Sequence, residues 1–94
     1  MNQIVNNRTA GRFELDSEGG VATLSYTETA SAIDLVHTEV PSALGGRGVG
    51  SALARAALEY ARDEGKRVIP TCPFVRHYLK SHPEWESTAG THPR

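Results

Sequence analysis

Four glycines lie within six residues near the middle of the chain: Gly45, Gly46, Gly48 and Gly50. They stand between a strand-like and a helix-like segment, and glycine permits backbone angles and close approaches that other residues forbid. The free amides at the start of a helix attract an anion, and the helix dipole assists. Arg47 supplies a cation within the same loop. The pattern predicts a binding site for a phosphate or pyrophosphate group.

Two familiar phosphate-binding sequences do not fit this loop. A Walker loop requires Gly-x-x-x-x-Gly-Lys; Gly45 and Gly50 have that spacing, but Ser51 stands at the lysine position. A dinucleotide-binding loop requires Gly-x-Gly-x-x-Gly, and its third glycine is missing from either possible starting point. Two interpretations remain, a different anion-binding loop and a flexible turn without a ligand.

The single cysteine, Cys72, stands directly before Pro73, a residue suited to the first position of a helix. A thiol at a helix N-terminus has a lowered pKa, which favours the reactive thiolate. Cys72 is therefore a candidate catalytic residue, as a nucleophile that takes an acyl group or as a proton donor to a leaving group. The alternative is an inert buried thiol.

His37 and Glu39 are candidates for a catalytic base or an orienting pair. Histidine titrates near neutral pH, and two residues that are two apart in a strand share one face. The alternation assigns Ile33 and Leu35 to that same face, and Asp34, Val36, Thr38 and Val40 to the other. The alternative is that His37 is a core residue and Glu39 a surface group. A hydrolase using Cys72 with His37 would leave the glycines unexplained.

Composition narrows the function classes. The 94 residues carry a net charge of −1 with dispersed lysines and arginines, which excludes a basic nucleic-acid-binding surface. No apolar run is long enough to cross a bilayer, and residues 1–9 lack the apolar stretch of a signal peptide. The histidines match no zinc-binding spacing, so we predict no metal site. We expect a cytoplasmic protein without a nucleic-acid or membrane partner.

Apolar patterns predict the elements that hold these residues. Strand-like alternation covers residues 12–15, 22–26 and 32–40, and a short strand covers 68–69. An apolar stripe at helical spacing, from Leu53 to Ala61, follows the glycine loop and predicts a helix. The helix is expected to end near Gly65, because glycine accepts the positive φ angle of a C-terminal cap. A second helix is expected from Pro73 to about His82. The predicted order is β-β-β-α-β-α, with the helices packed on one sheet.

Residues 40–53 resemble the acyl-CoA pyrophosphate loop of the GNAT N-acetyltransferases, whose motif is Gln/Arg-x-x-Gly-x-Gly/Ala at a strand-to-helix junction. Gly48 and Gly50 match its two glycine positions, and Gly45 occupies the place of its usual Gln or Arg. Further segments resemble the minimal, single-domain branch of that superfamily, over roughly residues 13 to 85: 37–41, 60–62, 70–75, 78–79 and 82–84.

The resemblance implies an α/β fold, a truncated GNAT-like domain with a mainly antiparallel sheet of about four strands and two principal helices. It implies an acyl-CoA-binding domain over residues 11–85, between a flexible N-terminus at 1–10 and a flexible tail at 86–94. It also implies acetyl-CoA as cosubstrate and an amine-bearing acceptor, either a protein lysine or a small molecule. We expect a monomer or a weak homodimer, because the core is small and no interface pattern is visible.

The resemblance further implies which residues touch the cosubstrate. The expected contacts are Val40, Gly46, Arg47, Gly48, Val49, Gly50 and Ser51, with Cys72, His37 and Glu39 as the catalytic candidates. A backbone N–H near Val40 is expected to polarise the thioester carbonyl. The alternatives are a coenzyme A-binding module without turnover and a regulatory protein–protein module.

Overall fold

The computed structural model describes residues 3–85 and contains one five-stranded sheet with two helices packed on it. In chain order the elements are β1 Ile4–Asn7, β2 Arg12–Ser17, β3 Gly20–Glu28, β4 Ala32–Glu39, a 3₁₀ turn Ser42–Leu44, α1 Val49–Asp63, β5 Arg67–Ile69 and α2 Pro73–Ser81. The strands lie in the order β1-β2-β3-β4-β5. The first four are antiparallel, and β5 joins β4 in parallel because α1 forms the crossover between them. This confirms the predicted fold class.

The sheet has five strands rather than about four because residues 4–7 pair with β2. Residues 4–7 lie within the N-terminal segment, 1–10, that is expected to be flexible. Ile4 packs against the core, and the Asn6 side chain accepts a hydrogen bond from the Tyr26 hydroxyl at 2.6 Å. The asparagines that made the segment look irregular thus hold it in place. The proposed tail, residues 86–94, lies outside the described residues.

Helix α1 buries the stripe of residues that its sequence spacing predicted. The side chains of Leu53, Ala54, Ala57, Leu58 and Ala61 are fully buried against the sheet. Three of the five are alanines, which let the helix axis approach the strands closely. Gly65 follows the last turn with φ +67°, as expected for a helix cap. Over residues 3–85, neither helix has the length and apolar character needed to span a membrane.

A β-bulge in β4 changes the face on which its later residues lie. Tyr26 of β3 pairs with Leu35, but its neighbour Ser25 pairs with His37, so Val36 is an extra residue on β4. Because side chains alternate between faces with a period of two, one extra residue reverses the assignment of every residue after it.

The residues beyond the bulge therefore lie opposite to the sequence-based expectation. Thr38 pairs with the fully buried Leu24 and lies on the helix-covered face. His37 and Glu39 lie on the other face, where Glu39 pairs with Thr23. The prediction that His37 and Glu39 share the face of Leu35 is wrong, because counting alternation cannot detect an inserted residue.

A charged network ties the end of β3 to the segment between α1 and β5. The Glu28 carboxylate, whose side chain is 17% exposed, accepts a hydrogen bond from the Tyr60 hydroxyl at 2.8 Å and lies 3.0 Å from the Lys66 ammonium. Burial raises the pKa of Glu28, but the bonds from Lys66 and Tyr60 lower it by more. Burial and the Glu28 charge together raise the pKa of Tyr60 to about 12. Lys66 also donates to the Thr29 carbonyl.

We expect Lys66→Met to lower the free energy of unfolding by about 1–3 kcal/mol near pH 7, because it removes a charged donor from a largely buried carboxylate. The Glu28 carboxyl has a lower pKa in the folded protein than in the unfolded chain, where it is about 4.3. Its ionised form therefore stabilises the fold above that pH, and this contribution is lost as the pH falls through the pKa of the folded state. Denaturant titrations should therefore show the difference shrinking at acidic pH. Lys80→Met, on an exposed lysine of α2, is the control; an equal loss at both pH values would contradict the network.

Candidate functional site

The glycine loop adopts a conformation that glycine alone accepts readily. Pro41 follows β4, the 3₁₀ turn buries Leu44, and Gly45 is extended. Gly46 has φ +76° and Gly48 has φ +72°, both in the left-handed region. A Cβ atom at either position would meet no other atom within 4 Å. These two glycines are therefore required by the backbone angles, and the space around them is open.

The first turn of α1 presents N–H groups without internal acceptors. Gly48 is the N-cap residue, no side chain caps the helix, and the first turn holds no acidic residue. The first helical hydrogen bond runs from the Ala52 N–H to the Gly48 carbonyl at 3.0 Å. The preceding N–H groups of Val49, Gly50 and Ser51 have no carbonyl four residues earlier within the helix. The predicted loop residues thus come together as an uncapped helix N-terminus suited to an anion.

Gly50 has a second role that the sequence did not reveal. A Cβ atom here would lie 2.9 Å from the ring of Phe74, a distance that real Cβ contacts do not show. Gly50 therefore allows the first turn of α2 to pack against the first turn of α1. This contact brings the Cys72 region close to the glycine loop.

Two open clefts lie beside the segment that joins β4 to α1. The larger, of about 490 Å³, lies beside Arg47 and is also lined by Ser17, Glu18, Gly19, Ala43 and Leu44. The smaller, of about 260 Å³, is lined by Val21, Glu39, Val40 and Pro41. The larger cleft therefore reaches the glycine loop, and the smaller one lies at the end of β4.

Strands β4 and β5 separate after three residue pairs. Their last pair is Asp34 with Ile69, and the Cys72 N–H then donates to the Leu35 carbonyl at 2.8 Å. Beyond this bond the chain turns into α2, while β4 continues to Glu39. Among residues 3–85, therefore, no strand pairs with β4 on the β5 side between the bulge and Val40.

Cys72 lies at the N-cap of α2, and its side chain is only 2% exposed. Its Sγ atom is 3.3 Å from the Thr38 Oγ1 atom. Burial raises the pKa of the Cys72 thiol, but the Thr38 hydroxyl and the backbone N–H groups of Val75, Phe74 and Thr38 lower it by more. Val75 and Phe74 belong to the first turn of α2, so the start of this helix is one of the features that lower the pKa of the thiol.

The structure does not bring His37 and Glu39 to the sulfur. Their side chains lie 4.0 Å apart, from His37 Nε2 to Glu39 Oε2, and are 62% and 74% exposed. They are on the face of β4 opposite to Thr38. Thr38 is the partner of Cys72 that sequence reasoning missed, because only the strand register reveals it. Among residues 3–85, no three His, Cys, Asp or Glu side chains are grouped so as to hold a metal ion.

We expect Thr38→Val to raise the pKa of the Cys72 thiol, because it removes the hydroxyl and keeps the side-chain shape. The thiolate absorbance in the ultraviolet, measured against pH and corrected with Cys72→Ser, reports this pKa directly. Thr27→Val is the matched control, since Thr27 is exposed and faces away from the sulfur. An unchanged titration in Thr38→Val would show that the hydroxyl does not act on the thiol.

Comparison with known proteins adds family information to this geometry. A family model described as GCN5-related N-acetyl-transferase matches residues 12–88. Protein NATD1 from Homo sapiens and from Gallus gallus is 43% identical to this chain over 51 residues, which is 54% of this chain and 45% and 46% of theirs. The chain spans about half the length of these curated relatives.

A solved structure resembles nearly the whole chain. It is the NMR solution structure of a GCN5-like putative N-acetyltransferase from Staphylococcus aureus. The match has a TM-score of 0.70 and 29% sequence identity, and it covers 92% of this chain and 85% of the other. The likeness therefore extends over nearly the whole fold.

Proposed function

The chain belongs to the GCN5-related N-acetyltransferase family, and we propose that it transfers an acetyl group from acetyl-CoA to an amine. The observation that carries this proposal is the uncapped, glycine-lined start of α1 beside the open edge of β4. The start of the helix suits the diphosphate of an acyl-CoA, and the free strand edge suits the extended arm that carries its thioester. The acceptor we propose is a protein lysine or a small-molecule amine.

We assign the diphosphate of coenzyme A to the glycine loop. The uncapped N–H groups at the start of α1 support this assignment, because no acidic side chain occupies the first turn and the space around Gly46 and Gly48 is open. The helix dipole adds partial positive charge at the same point. Arg47 lies in the loop and borders the larger cleft, where its guanidinium is available to a phosphate oxygen.

We assign the open edge of β4 to the extended arm and the thioester group of acetyl-CoA. In the part of the chain that the structure describes, β4 has no strand partner on the β5 side beyond the bulge. The Thr38 N–H acts on the Cys72 thiol, and we assign the backbone groups near Val40 to an extended ligand. When bound, acetyl-CoA supplies a thioester carbonyl that accepts a nucleophile. We assign the N–H near Val40 to the carbonyl oxygen, where it stabilises developing negative charge.

Cys72 is the group that we place at the sulfur of the thioester. As a nucleophile, Sγ would bond to the carbonyl carbon while the bond to the coenzyme A sulfur breaks; the amine would then displace Sγ. As a proton donor, Sγ would pass its proton to the departing coenzyme A sulfur and remain as a thiolate held by Thr38. The two routes differ in whether an acetyl group ever resides on the protein.

His37 and Glu39 are the groups that we assign to the amine. They are exposed on the face of the sheet away from Cys72 and close enough for a charge-assisted contact. An ammonium that approaches from this face would meet the Glu39 carboxylate, and His37 would accept the proton that the amine must lose. The smaller cleft beside Glu39 offers apolar walls for the carbon chain of such an amine.

One observation favours a second candidate function, a coenzyme A-binding module without turnover. The Cys72 sulfur is nearly inaccessible, and the two exposed candidates lie across the sheet from it. In that case the thiol would be structural. Binding is common to both functions, and turnover separates them.

We expect calorimetric titration to show coenzyme A binding that Gly48→Ala weakens by about 5- to 30-fold. A non-glycine residue in the left-handed region costs about 1–2 kcal/mol, which the free loop would relieve by leaving the conformation that the ligand requires. Gly65→Ala is the matched control: Gly65 has φ +67°, also with no atom within 4 Å of an added Cβ, but lies at the other end of α1. It should lose similar stability and keep its affinity. Equal affinities of the two variants would place the ligand elsewhere.

We expect incubation with acetyl-CoA and a panel of amines to release free coenzyme A thiol, and Cys72→Ser to slow the release by about a hundredfold or more. Its affinity for coenzyme A should stay within about twofold of the wild type, since Cys72 lies outside the anion site. Intact-mass spectrometry of the protein incubated with acetyl-CoA alone distinguishes the two routes. An acetyl adduct indicates that Cys72 is the nucleophile, and the absence of an adduct indicates that it is the proton donor. Full activity in Cys72→Ser would remove the thiol from the reaction.

A further inference from the structure

The turn that carries Cys72, residues 70–72, has its backbone polar groups paired with three different elements. The Thr71 N–H donates to the Ile69 carbonyl at 3.0 Å, and the Cys72 N–H donates to Leu35 in β4 at 2.8 Å. The Cys72 carbonyl accepts the first hydrogen bond of α2, from the Arg76 N–H at 3.1 Å. The position of Sγ therefore depends on how firmly this turn is held.

Two side chains outside the turn complete this pairing. Arg76 donates through Nη1 to the carbonyls of Pro70, at 3.1 Å, and Thr71, at 2.7 Å. Asp34 in β4 accepts a hydrogen bond from the Thr71 hydroxyl at 2.5 Å. The turn is thus tied to α2 by one side chain and to β4 by the other.

The placement of Arg76 is not explained by helix stability. It is the fourth residue of α2, and a cation near a helix N-terminus is disfavoured by the helix dipole. Its guanidinium instead reaches back over the turn to two carbonyls that would otherwise depend on solvent. A planar guanidinium holds such a geometry better than a flexible ammonium does.

We propose that Arg76 and Asp34 are positioning residues for Cys72: they fix the turn at residues 70–72 and thereby hold Sγ against the Thr38 hydroxyl. The proposal rests on the proposed role of Cys72 in the reaction. Neither side chain is among the groups that contact the sulfur. Arg76 therefore acts through the shape of the turn and not through its charge.

The test compares variants of these contacts by the reactivity and the titration of the thiol. Arg76→Met removes the donors and keeps most of the side-chain length, and Thr71→Val removes the bond to Asp34. We expect both to move the thiolate titration to higher pH by about 0.3–1 pH unit, and to move the midpoint of the pH–rate profile for methyl methanethiosulfonate by the same amount, because the thiolate is the reactive form. The midpoint is used because, unlike the rate at one pH, it does not depend on how far a variant exposes the buried sulfur. Arg76→Lys should recover part of the shift.

Arg55→Met is the matched control, because Arg55 is exposed on α1 and pairs with Glu59 at 3.2 Å, away from the turn. Its titration and rate should equal those of the wild type. The proposal is overturned if Arg76→Met and Thr71→Val, folded by circular dichroism, titrate and react as the wild type does. The readout needs neither coenzyme A nor an amine, so a failure of the proposed function at the binding or turnover step would be seen separately.

Discussion

Three N–H groups at the start of α1, those of Val49, Gly50 and Ser51, have no acceptor within the helix. Buried or half-buried donors of this kind are normally satisfied by a capping side chain, and here Gly48 provides none. The left-handed glycines before them keep the approach open. In the proposed function, the diphosphate of coenzyme A supplies the missing acceptors, and that proposal accounts for the run of glycines before the helix.

The second structural determinant is the bulge at Val36. By inserting one residue into β4, it places Thr38 on the helix-covered face, where its hydroxyl meets the Cys72 sulfur. It also turns His37 and Glu39 to the open face. Because of this one inserted residue, the Cys72 thiol and Thr38 lie on one side of the sheet, and the His37–Glu39 pair lies on the other.

Much of the architecture follows from local sequence patterns. The predictions that agree with the structure depend on residues close together in the chain: the helical stripe of α1, the cap at Gly65 and the start of α2 at Pro73. The role of the glycine loop in binding an anion stays a prediction. The features that sequence reasoning missed depend on pairing between distant segments. The bulge at Val36, the strand at residues 4–7 and the packing of Phe74 on Gly50 exist only once the sheet and helices have come together.

The most direct test of the account follows individual backbone amides during a titration with coenzyme A, using ¹H–¹⁵N correlation spectra of the labelled protein. The account predicts that the amide signals of residues 46–51 move first and saturate together, because their N–H groups receive the diphosphate. It would be contradicted if those signals stayed in place while the ligand bound, or if no amide of the protein moved at millimolar ligand.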